Sequence, residues 1–498
     1  MTHENPATQG ADPILSTGVM GLDEVLGGGL TASRLYLLEG EPGAGKTTVA
    51  LQFLRDGASR GEPVLYITLS ETREELLGVA HSHGWDLSGL QVHDMQPAEG
   101  ALEPDEQYTM FHPSELELTQ TTLKILAEVE RLQPTRVVFD SLSELRLLAG
   151  NSLRYRRQIL ALKQFFAGRQ CTVLLLDDMT AAEHDLQVQS IAHAVLRLEQ
   201  RNSDYGATRR RLAVTKYRGR AYRDGYHDYK IARGGLQVFP RLVAADHLPA
   251  YEPGTLASGS AAFDQLLGGG FERGTSTLVV GAPGTGKSSL AVQFALASTQ
   301  RGETACLYIF DESVMTLRMR CEGMGMPVGQ AMATGRLQVR QIDPAEMSPG
   351  EFAQIIRDAV TTQQARVVVI DSLNGYLNSM PDDRFLIAQL HELLSYLGQS
   401  GVATLLVGAQ HGLIGTQMRS PVDASYLADA VVMLRYFELD GEVRQAISVL
   451  KKRGGTHERF IRSFTMSERG LHIGEPLRHY RGILTGVPVP LDADGKER

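Results

Sequence analysis

Two glycine-rich segments of the sequence end in a lysine followed by a hydroxyl residue. They are residues 40–47 (GEPGAGKT) and 281–288 (GAPGTGKS), and both fit the pattern G-x-x-x-x-G-K-[ST]. In this pattern the backbone N–H groups surround phosphate oxygens, the lysine reaches the β- and γ-phosphates, and the hydroxyl ligates Mg²⁺. The predicted ATP-binding residues are Gly40, Gly43, Ala44, Gly45, Lys46, Thr47 and Thr48 in the first segment and Gly281, Gly284, Thr285, Gly286, Lys287, Ser288 and Ser289 in the second.

Acidic residues complete the two predicted sites. Asp140 and Asp371 each end an apolar run and precede a serine, which suits a Mg²⁺ ligand at the end of a strand. The predicted metal-binding residues are therefore Thr47, Asp140, Ser288 and Asp371. Another apolar run in each half ends at Glu71 or at Asp311 and Glu312, the candidates for orienting an attacking water. Two alternatives remain: the aspartates are turn residues, or the other acids cap the helices that follow.

The sequence repeats itself once over almost its whole length. LSTGVMGLDEVLGGGL begins at Leu15 and LASGSAAFDQLLGGGF begins at Leu256, 241 residues later, and the phosphate loops keep the same spacing. A period of this length indicates a duplicated domain. We predict one domain at 14–247, a second at 254–486, a boundary near the two prolines of residues 247–253, and a short flexible tail at 487–498.

Within each half, apolar runs such as LYLLEG, RVVFD and TVLLLDD alternate with helical stretches. This alternation predicts an α/β fold made of two tandem P-loop NTPase domains, each a mostly parallel sheet flanked by helices. Sheets of this kind bind ligands beyond the carboxyl ends of their strands, where the motifs fall. The triple glycines at 27–29 and 268–270 are predicted to be turns.

Composition limits the classes of function. The chain has 498 residues, of which 43% are hydrophobic and 21% charged, as in globular proteins. No apolar run is long enough to cross a membrane, and the polar start lacks the pattern of a signal peptide, so a cytoplasmic protein is expected. The three cysteines have no metal-ligand spacing and are predicted to be core thiols. A net charge of −9 makes nucleic acid an unlikely partner and favours proteins.

Taken together, these motifs resemble the KaiC family of RecA-like ATPases over both halves of the chain. The resemblance rests on Gly-Leu-Asp with the triple-glycine turn, the two GxPGxGK[TS] loops, the strand-end Asp-Ser-Leu, TKYRG and LKKRG, GWDL at 84–87 and RGGTHERFIRSF at 453–464. It implies two tandem RecA-like domains, a homohexamer of two stacked rings, ATP with Mg²⁺ at the subunit boundaries, and a KaiB-like or other signalling protein as partner.

The resemblance also assigns roles to single residues. Lys216 and Arg218 in the first domain, and Lys451 and Arg453 in the second, match family residues that reach across to the neighbouring subunit's nucleotide. The spacing K-x-R agrees, because it puts both cations on one face of a strand. The alternative is a solvated basic strand edge. Ser82 and Met324 are further implied to flank the nucleotide base.

The second ring of the family phosphorylates a neighbouring Ser-Thr pair. Ser425 and Tyr426 stand at these positions, so Ser425 is the predicted acceptor and Tyr426 a departure from the family pattern. Ser70 and Asp311 likewise replace the first member of each family glutamate pair. We predict an ATP hydrolase with serine/threonine autokinase activity that acts as a hexameric switch. One alternative is a RecA-like ATPase acting on DNA, for which the strongest basic run of this sequence is residues 209–211. The other alternative is an ATP-binding module without kinase activity.

Overall fold

The computed structural model describes residues 12–95, 113–179, 186–202, 206–246, 251–377, 383–410, 425–468, 470–485 and 488–491. The chain divides into two units, Met1–Arg241 and Leu242–Arg498. The division precedes the proline-containing segment that the sequence favoured. The reason is that Leu242 and Ala244 pack in the hydrophobic core of the second unit, where the Ala244 N–H donates to Glu392 at 3.0 Å.

The described part of the first unit contains a nine-stranded sheet with strand order β11-β10-β9-β8-β3-β7-β6-β4-β5. The strands from β8 to β5 in this order are parallel, and β9, β10 and β11 extend the sheet in antiparallel fashion. The strands are β1 (Ile14–Leu15), β2 (Leu30–Thr31), β3 (Leu35–Gly40), β4 (Val64–Thr68), β5 (Gln91–Asp94), β6 (Arg136–Asp140), β7 (Thr172–Asp177), β8 (Ala194–Arg201), β9 (Arg209–Tyr217), β10 (Tyr226–Ala232) and β11 (Gly235–Phe239). The helices are α1 (Leu22–Val25), α2 (Lys46–Ser59), α3 (Arg73–Ser82), α4 (Pro113–Leu132), α5 (Leu142–Ala149), α6 (Ser152–Ala167) and α7 (Leu186–Ile191).

The second unit repeats this topology. In its described residues a nine-stranded sheet has the order β16-β15-β17-β18-β14-β19-β20-β21-β22, parallel from β16 to β19 and antiparallel beyond. The strands are β12 (Thr255–Leu256), β13 (Phe271–Glu272), β14 (Ser276–Gly281), β15 (Thr304–Ile309), β16 (Leu337–Gln341), β17 (Ala365–Asp371), β18 (Ala403–Ala409), β19 (Ala430–Leu439), β20 (Glu442–Lys452), β21 (Arg462–Ser467), β22 (Gly470–Pro476), β23 (Tyr480–Arg481) and β24 (Val489–Pro490). The helices are α8 (Ala261–Leu266), α9 (Lys287–Gln300), α10 (Val314–Gly323), α11 (Val328–Ala333), α12 (Pro349–Thr361), α13 (Leu373–Leu377) and α14 (Asp383–Gln399).

The central position of β3 in the sheet explains its nearly continuous apolar sequence, LYLLEG. Every residue of β3 is buried, with Tyr36 and Leu38 in one hydrophobic core and Leu35 and Leu37 in the core on the opposite face of the sheet. A strand covered by helices on both faces favours apolar residues on both of its faces. The one charged residue of β3, Glu39, is buried in an ion pair with Arg197 at 3.2 Å. The predicted α/β class with two mostly parallel sheets is confirmed.

The structure also bears on the predictions made for the cysteines, the triple-glycine turns and the tail. All three cysteines are buried, and burial raises the pKa of Cys171, Cys306 and Cys321 to about 11, as expected of core thiols. Every glycine of both triple-glycine turns has a positive φ. The prediction of a flexible tail at 487–498 does not hold for residues 488–491. Strand β24 pairs with β23, and the Leu491 N–H donates to the His479 carbonyl at 2.9 Å. Residues 492–498 lie outside the described residues. In the part of the chain that the structure describes, no helix combines the length and apolar character needed to cross a membrane.

Candidate nucleotide sites

Each phosphate loop joins a central strand to a helix. In the first unit the loop follows β3, which lies between β7 and β8, and leads into α2. Gly45 is the N-cap of that helix, with φ 99° and no side chain to cap it, and Gly286 is the N-cap of α9, with φ 95°. The first N–H groups of both helices therefore have no side-chain cap and are directed into the loop, where phosphate oxygens can accept from them.

Close packing reinforces the need for glycine at these two positions. A Cβ on Gly45 would lie 2.6 Å from Ile231 Cδ1, and one on Gly286 would lie 2.5 Å from Met466 Sδ. Positive φ angles already disfavour any other residue there. Side chains of β10 and β21 thus pack directly against the two phosphate loops.

The lysine of the first loop is buried, with 6% of its surface exposed. Its Nζ donates to the carbonyls of Gly40 at 2.7 Å and Glu41 at 3.0 Å, and forms an ion pair with Asp178 at 2.9 Å. Asp178 directly follows β7, and the sequence reasoning did not single it out. Its signal was the second aspartate of TVLLLDD, at the carboxyl end of a strand beside the loop.

Glu71 lies against the hydroxyl that follows this lysine. Thr47 Oγ1 donates to Glu71 Oε1 at 3.3 Å, while Oε2 is buried without a hydrogen-bond partner among the described residues. Burial, helped by the charge of Asp140, raises the pKa of Glu71 to about 7. Thr72, in a capping box with Glu75, caps α3, so the alternative that Glu71 caps this helix is wrong.

Asp140 ends β6 beside these groups. It accepts from the Tyr66 hydroxyl at 2.5 Å, and burial raises its pKa to about 6, with the charge of Asp178 adding to the increase. Tyr66 is a second residue that the sequence reasoning missed.

The residue types fit Mg²⁺ bound mainly through phosphate oxygens. Among the described residues no cluster of three histidine, cysteine or acidic side chains could hold a metal unaided. A hydroxyl and a carboxylate are nevertheless available in each site: Thr47 and Asp140 in the first, and Ser288 and Asp371 in the second, where Asp371 accepts from Ser288. Magnesium keeps several waters and usually takes one or two carboxylates plus substrate phosphates, which matches this donor set.

The second site encloses a cavity of about 380 Å³ lined by the loop, by Asp311 and Glu312, and by Asp371. Lys287 Nζ donates to the Ala282 carbonyl at 2.9 Å, and burial lowers the pKa of this lysine. Burial also raises the pKa of Asp371 to about 6. The cavity thus brings together the phosphate loop, the strand-end aspartate and both candidate acids.

An arginine from α10 distinguishes the second site. Arg320 Nη2 pairs with Glu312 at 2.6 Å, and Nη1 donates to Ser289 Oγ at 2.8 Å. Asp311 accepts a short hydrogen bond from Ser372. Ser313 caps α10, so neither acid is the capping residue. Arg320 was missed because its eight-residue distance from Glu312 has no motif signature.

The K-x-R pair of the second unit contacts the segment that carries the predicted acceptor. Lys451 Nζ donates to the carbonyls of Ser425 at 2.9 Å and Ala428 at 2.7 Å. Arg453 donates to the Tyr426 carbonyl at 2.8 Å and pairs with Asp429. The cations and the acceptor segment therefore share one surface patch.

The first unit has the matching arrangement. Lys216 Nζ donates to the carbonyls of Gln189 at 2.5 Å and Ala192 at 2.7 Å, and Arg218 donates to the Ser190 carbonyl at 2.6 Å. Arg218 lies one residue beyond β9, yet it reaches the same segment as Lys216. In each unit the lysine and the arginine therefore contact the same segment of backbone. A basic strand edge that is only solvated would not need such shared contacts.

The two residues implied to flank the base lie in unlike positions. Ser82 is exposed and its hydroxyl donates to the Val79 carbonyl of its own helix at 2.7 Å. Met324 is the C-cap of α10, with its sulfur 3.9 Å from Ser289 Oγ. The C-cap of α3 is His83, whose Nε2 lies 3.4 Å from Thr48 Oγ1. His83, which the sequence reasoning missed, is therefore the structural counterpart of Met324.

Comparison with known proteins gives a consistent result. A family model described as "ATPase: KaiC" matches residues 15–243 and again residues 256–478. The chain is 28% identical to the circadian clock oscillator protein KaiC of Picosynechococcus sp., covering 99% of this chain and 95% of that protein. It is 27% identical to the circadian clock protein KaiC3 of Synechocystis sp. (95% and 94%) and 26% identical to the circadian clock oscillator protein KaiC of Synechococcus elongatus (97% and 93%).

Proposed function

The chain belongs to the KaiC family of ATPases, and on that premise we propose that it is a hexameric ATP hydrolase and serine autokinase whose nucleotide state controls the binding of another protein. One observation carries the kinase part of this proposal. Lys451 and Arg453 hold the backbone of the segment that bears Ser425, so the cations and the hydroxyl act from the same subunit.

Hydrolysis in the first site is assigned to Glu71. Its pKa of about 7 suits a group that accepts a proton from water at neutral pH. Lys46 and the N–H groups at the start of α2 bind the phosphates and fix the γ-phosphorus for in-line attack. Thr47 and Asp140 in this site, and Ser288 and Asp371 in the second, would hold Mg²⁺, which would supply positive charge to the phosphates.

Phosphorylation uses the second site across a subunit boundary. The Ser425 hydroxyl attacks the γ-phosphorus of ATP held at Lys287 of the neighbouring subunit, and ADP leaves. Glu312, or Asp311 beside it, accepts the hydroxyl proton. Lys451 and Arg453 come from the acceptor's own subunit and offset the charge on the transferred group. Tyr426 is 54% exposed and is proposed as a minor acceptor.

The proposed output is binding of a KaiB-like or other signalling protein. The relatives that match along the whole chain carry the names of circadian clock proteins, and we extend that class of role to this chain. Charge pairing within the first unit supports a protein partner over DNA. Arg211, in the strongest basic run, pairs with Glu199 at 2.9 Å and stacks on Tyr226 at 4.1 Å. The charge of Arg211 is thus paired within the unit, which leaves it less suited to bind a DNA phosphate.

The test incubates the purified chain with γ-labelled ATP and Mg²⁺, measures released phosphate, and maps phosphopeptides by mass spectrometry. We expect steady phosphate release and phosphate on Ser425. A mixture of Lys287→Ala and Ser425→Ala chains should carry phosphate at residue 425 of the Lys287→Ala chain, because its neighbour supplies the ATP.

The matched control is Tyr426→Phe, which removes the neighbouring hydroxyl and should leave Ser425 phosphorylation in place. Phosphate release without protein phosphorylation would refute the autokinase and leave an ATPase switch. No release and no phosphorylation would refute both activities.

A further inference from the structure

In both units the K-x-R pair contacts a backbone segment, and the contacts match the two segments to each other residue by residue. The lysine of each pair donates to carbonyls three residues apart, Gln189 and Ala192 in the first unit and Ser425 and Ala428 in the second. Lys216 also donates to the Ser190 carbonyl, at 3.3 Å. The arginine of each pair donates to the residue after the first of these, which is Ser190 in one unit and Tyr426 in the other. Ser190 therefore occupies the backbone position of Tyr426, next to the position of Ser425.

We propose that Ser190 is a phosphorylation site of the first unit, modified by ATP bound at the first phosphate loop of a neighbouring copy of the chain. This inference rests on the proposed ring and autokinase activity and extends them to the first unit. Ser190 carries a short hydroxyl where the second unit has a phenol, and its residue is exposed at the end of α7. Gln189, at the position of Ser425, has no group that accepts a phosphoryl group.

The surroundings of Ser190 favour a phosphorylated product. Arg156 Nη1 donates to Ser190 Oγ at 3.3 Å, and Arg218 contacts its carbonyl. Lys163 donates to the adjacent Ile191 carbonyl at 2.9 Å. Burial and the charge of Arg218 lower the pKa values of Lys163 and Lys216. A phosphoserine brings close to two negative charges, which these cations would stabilise.

The proposed step balances without any group beyond ATP. Ser190 Oγ forms a bond to the γ-phosphorus while the bond from that phosphorus to the β,γ-bridging oxygen breaks, and ADP leaves with the electron pair. The hydroxyl proton passes to Glu71 of the neighbouring copy, where Oε2 is buried without a hydrogen-bond partner in the described part of the chain. In the second site the corresponding glutamate is paired with Arg320. The first site thus has a carboxylate suited to this acceptor.

The decisive experiment is complementation between two full-length variants. Glu71→Gln keeps Ser190 and the phosphate loop, while Ser190→Ala keeps Glu71. After incubation with ATP and Mg²⁺, neither variant alone should carry phosphate at residue 190. Mixed and reassembled, the Glu71→Gln chains should gain at least tenfold more phosphate on Ser190, measured by mass spectrometry of the peptide.

Two further variants act as controls. Ser190→Thr should restore phosphorylation, and Ser59→Ala, at an exposed serine of the same unit, should leave it unchanged. Phosphate on Ser425 with none on Ser190 would overturn this inference and leave the proposed function standing. Phosphate on neither residue would overturn both. Phosphate on Ser190 in Glu71→Gln alone would overturn the role of the neighbouring carboxylate.

Discussion

Replacing Glu71 by glutamine should stabilise the first unit while slowing its chemistry. The pKa of this carboxyl is raised from 4.5 to about 7, mainly by burial. Each tenfold change in a proton equilibrium is worth about 1.4 kcal/mol, so ionising Glu71 in the folded unit costs about 3 kcal/mol at most. Glu71 is half-buried, and solvent screening reduces the expected gain for Glu71→Gln to about 1–2 kcal/mol at pH 8.

The sign of the pH dependence follows from the direction of the shift. Between pH 4.5 and about 7 the folded state binds more protons at Glu71 than the unfolded state does, so this group makes the wild type less stable as pH rises. Glutamine does not titrate. Its advantage should therefore be full above pH 7, less than half as large at pH 5, and absent below pH 4.5.

The assay uses the only tryptophan of the chain, Trp85, which belongs to the first unit and packs under Arg55. Urea unfolding followed by its fluorescence, without nucleotide, gives the unfolding free energy of this unit at pH 8 and pH 5. Phosphate release, measured in a Lys287→Ala background, should fall at least tenfold with Glu71→Gln.

The matched control is Glu75→Gln. Glu75 is an exposed member of the α3 capping box, and hydrogen bonds from Thr72 lower its pKa, so its replacement should give no gain at pH 8. The reasoning would be refuted if Glu71→Gln destabilised the unit at pH 8, or if its gain were equal at pH 5 and pH 8.

Three further outcomes are expected. ATP with Mg²⁺ should hold the chain as a hexamer because each nucleotide bridges two subunits; light scattering that found a monomer with and without ATP would contradict this. Lys46→Ala should chiefly weaken assembly and basal hydrolysis, whereas Lys287→Ala should abolish Ser425 phosphorylation; unchanged nucleotide binding in both would exclude the phosphate-loop assignment. Arg320→Val, which copies Val79 of the first unit, should weaken ATP binding at the second site several-fold, and Asp178→Ala, which copies Ala409, should strengthen it at the first; titration with a fluorescent ATP analogue gives both affinities, and changes of the opposite sign would contradict the charge argument.

The sequence predicted the parts of each site that have a local signature. The phosphate loops and the strand-end aspartates lie where expected, because an apolar strand, a glycine turn and a helix start are all encoded in neighbouring residues. The K-x-R spacing likewise predicts that Lys216 and Arg218 lie on one face, and both donate to carbonyls of residues 189–192. That they reach the nucleotide of a neighbouring subunit stays a prediction.

Other features depend on approach between distant elements and have no local signature. Asp178 and Arg320 meet the loops through the packing of β7 and α10, and their identities are not repeated in the other unit. The contacts of the lysine–arginine pairs go to main-chain carbonyls, which every residue type possesses, so no sequence pattern reveals them. The boundary between the units lies earlier than the predicted one for a similar reason, since Leu242 packs against residues that are distant in the sequence.

The two sites differ most in the charge that accompanies their shared loop. In the first, Asp178 pairs with Lys46 and adds negative charge where phosphates must bind; Ala409 stands at the corresponding end of β18 and pairs with Gly281. In the second, Arg320 adds positive charge seven residues after the N-cap of α10, where α3 has Val79. The first loop also carries Glu41 where the second has Ala282, whereas the second site has Asp311 where the first has Ser70. The surroundings of the second loop are on balance more positive, so the second site should hold ATP more tightly. The first site, where Glu71 Oε2 has no hydrogen-bond partner among the described residues, should turn its nucleotide over. We therefore expect the duplicated domains to divide nucleotide retention from proton transfer through charges that their shared motifs do not fix.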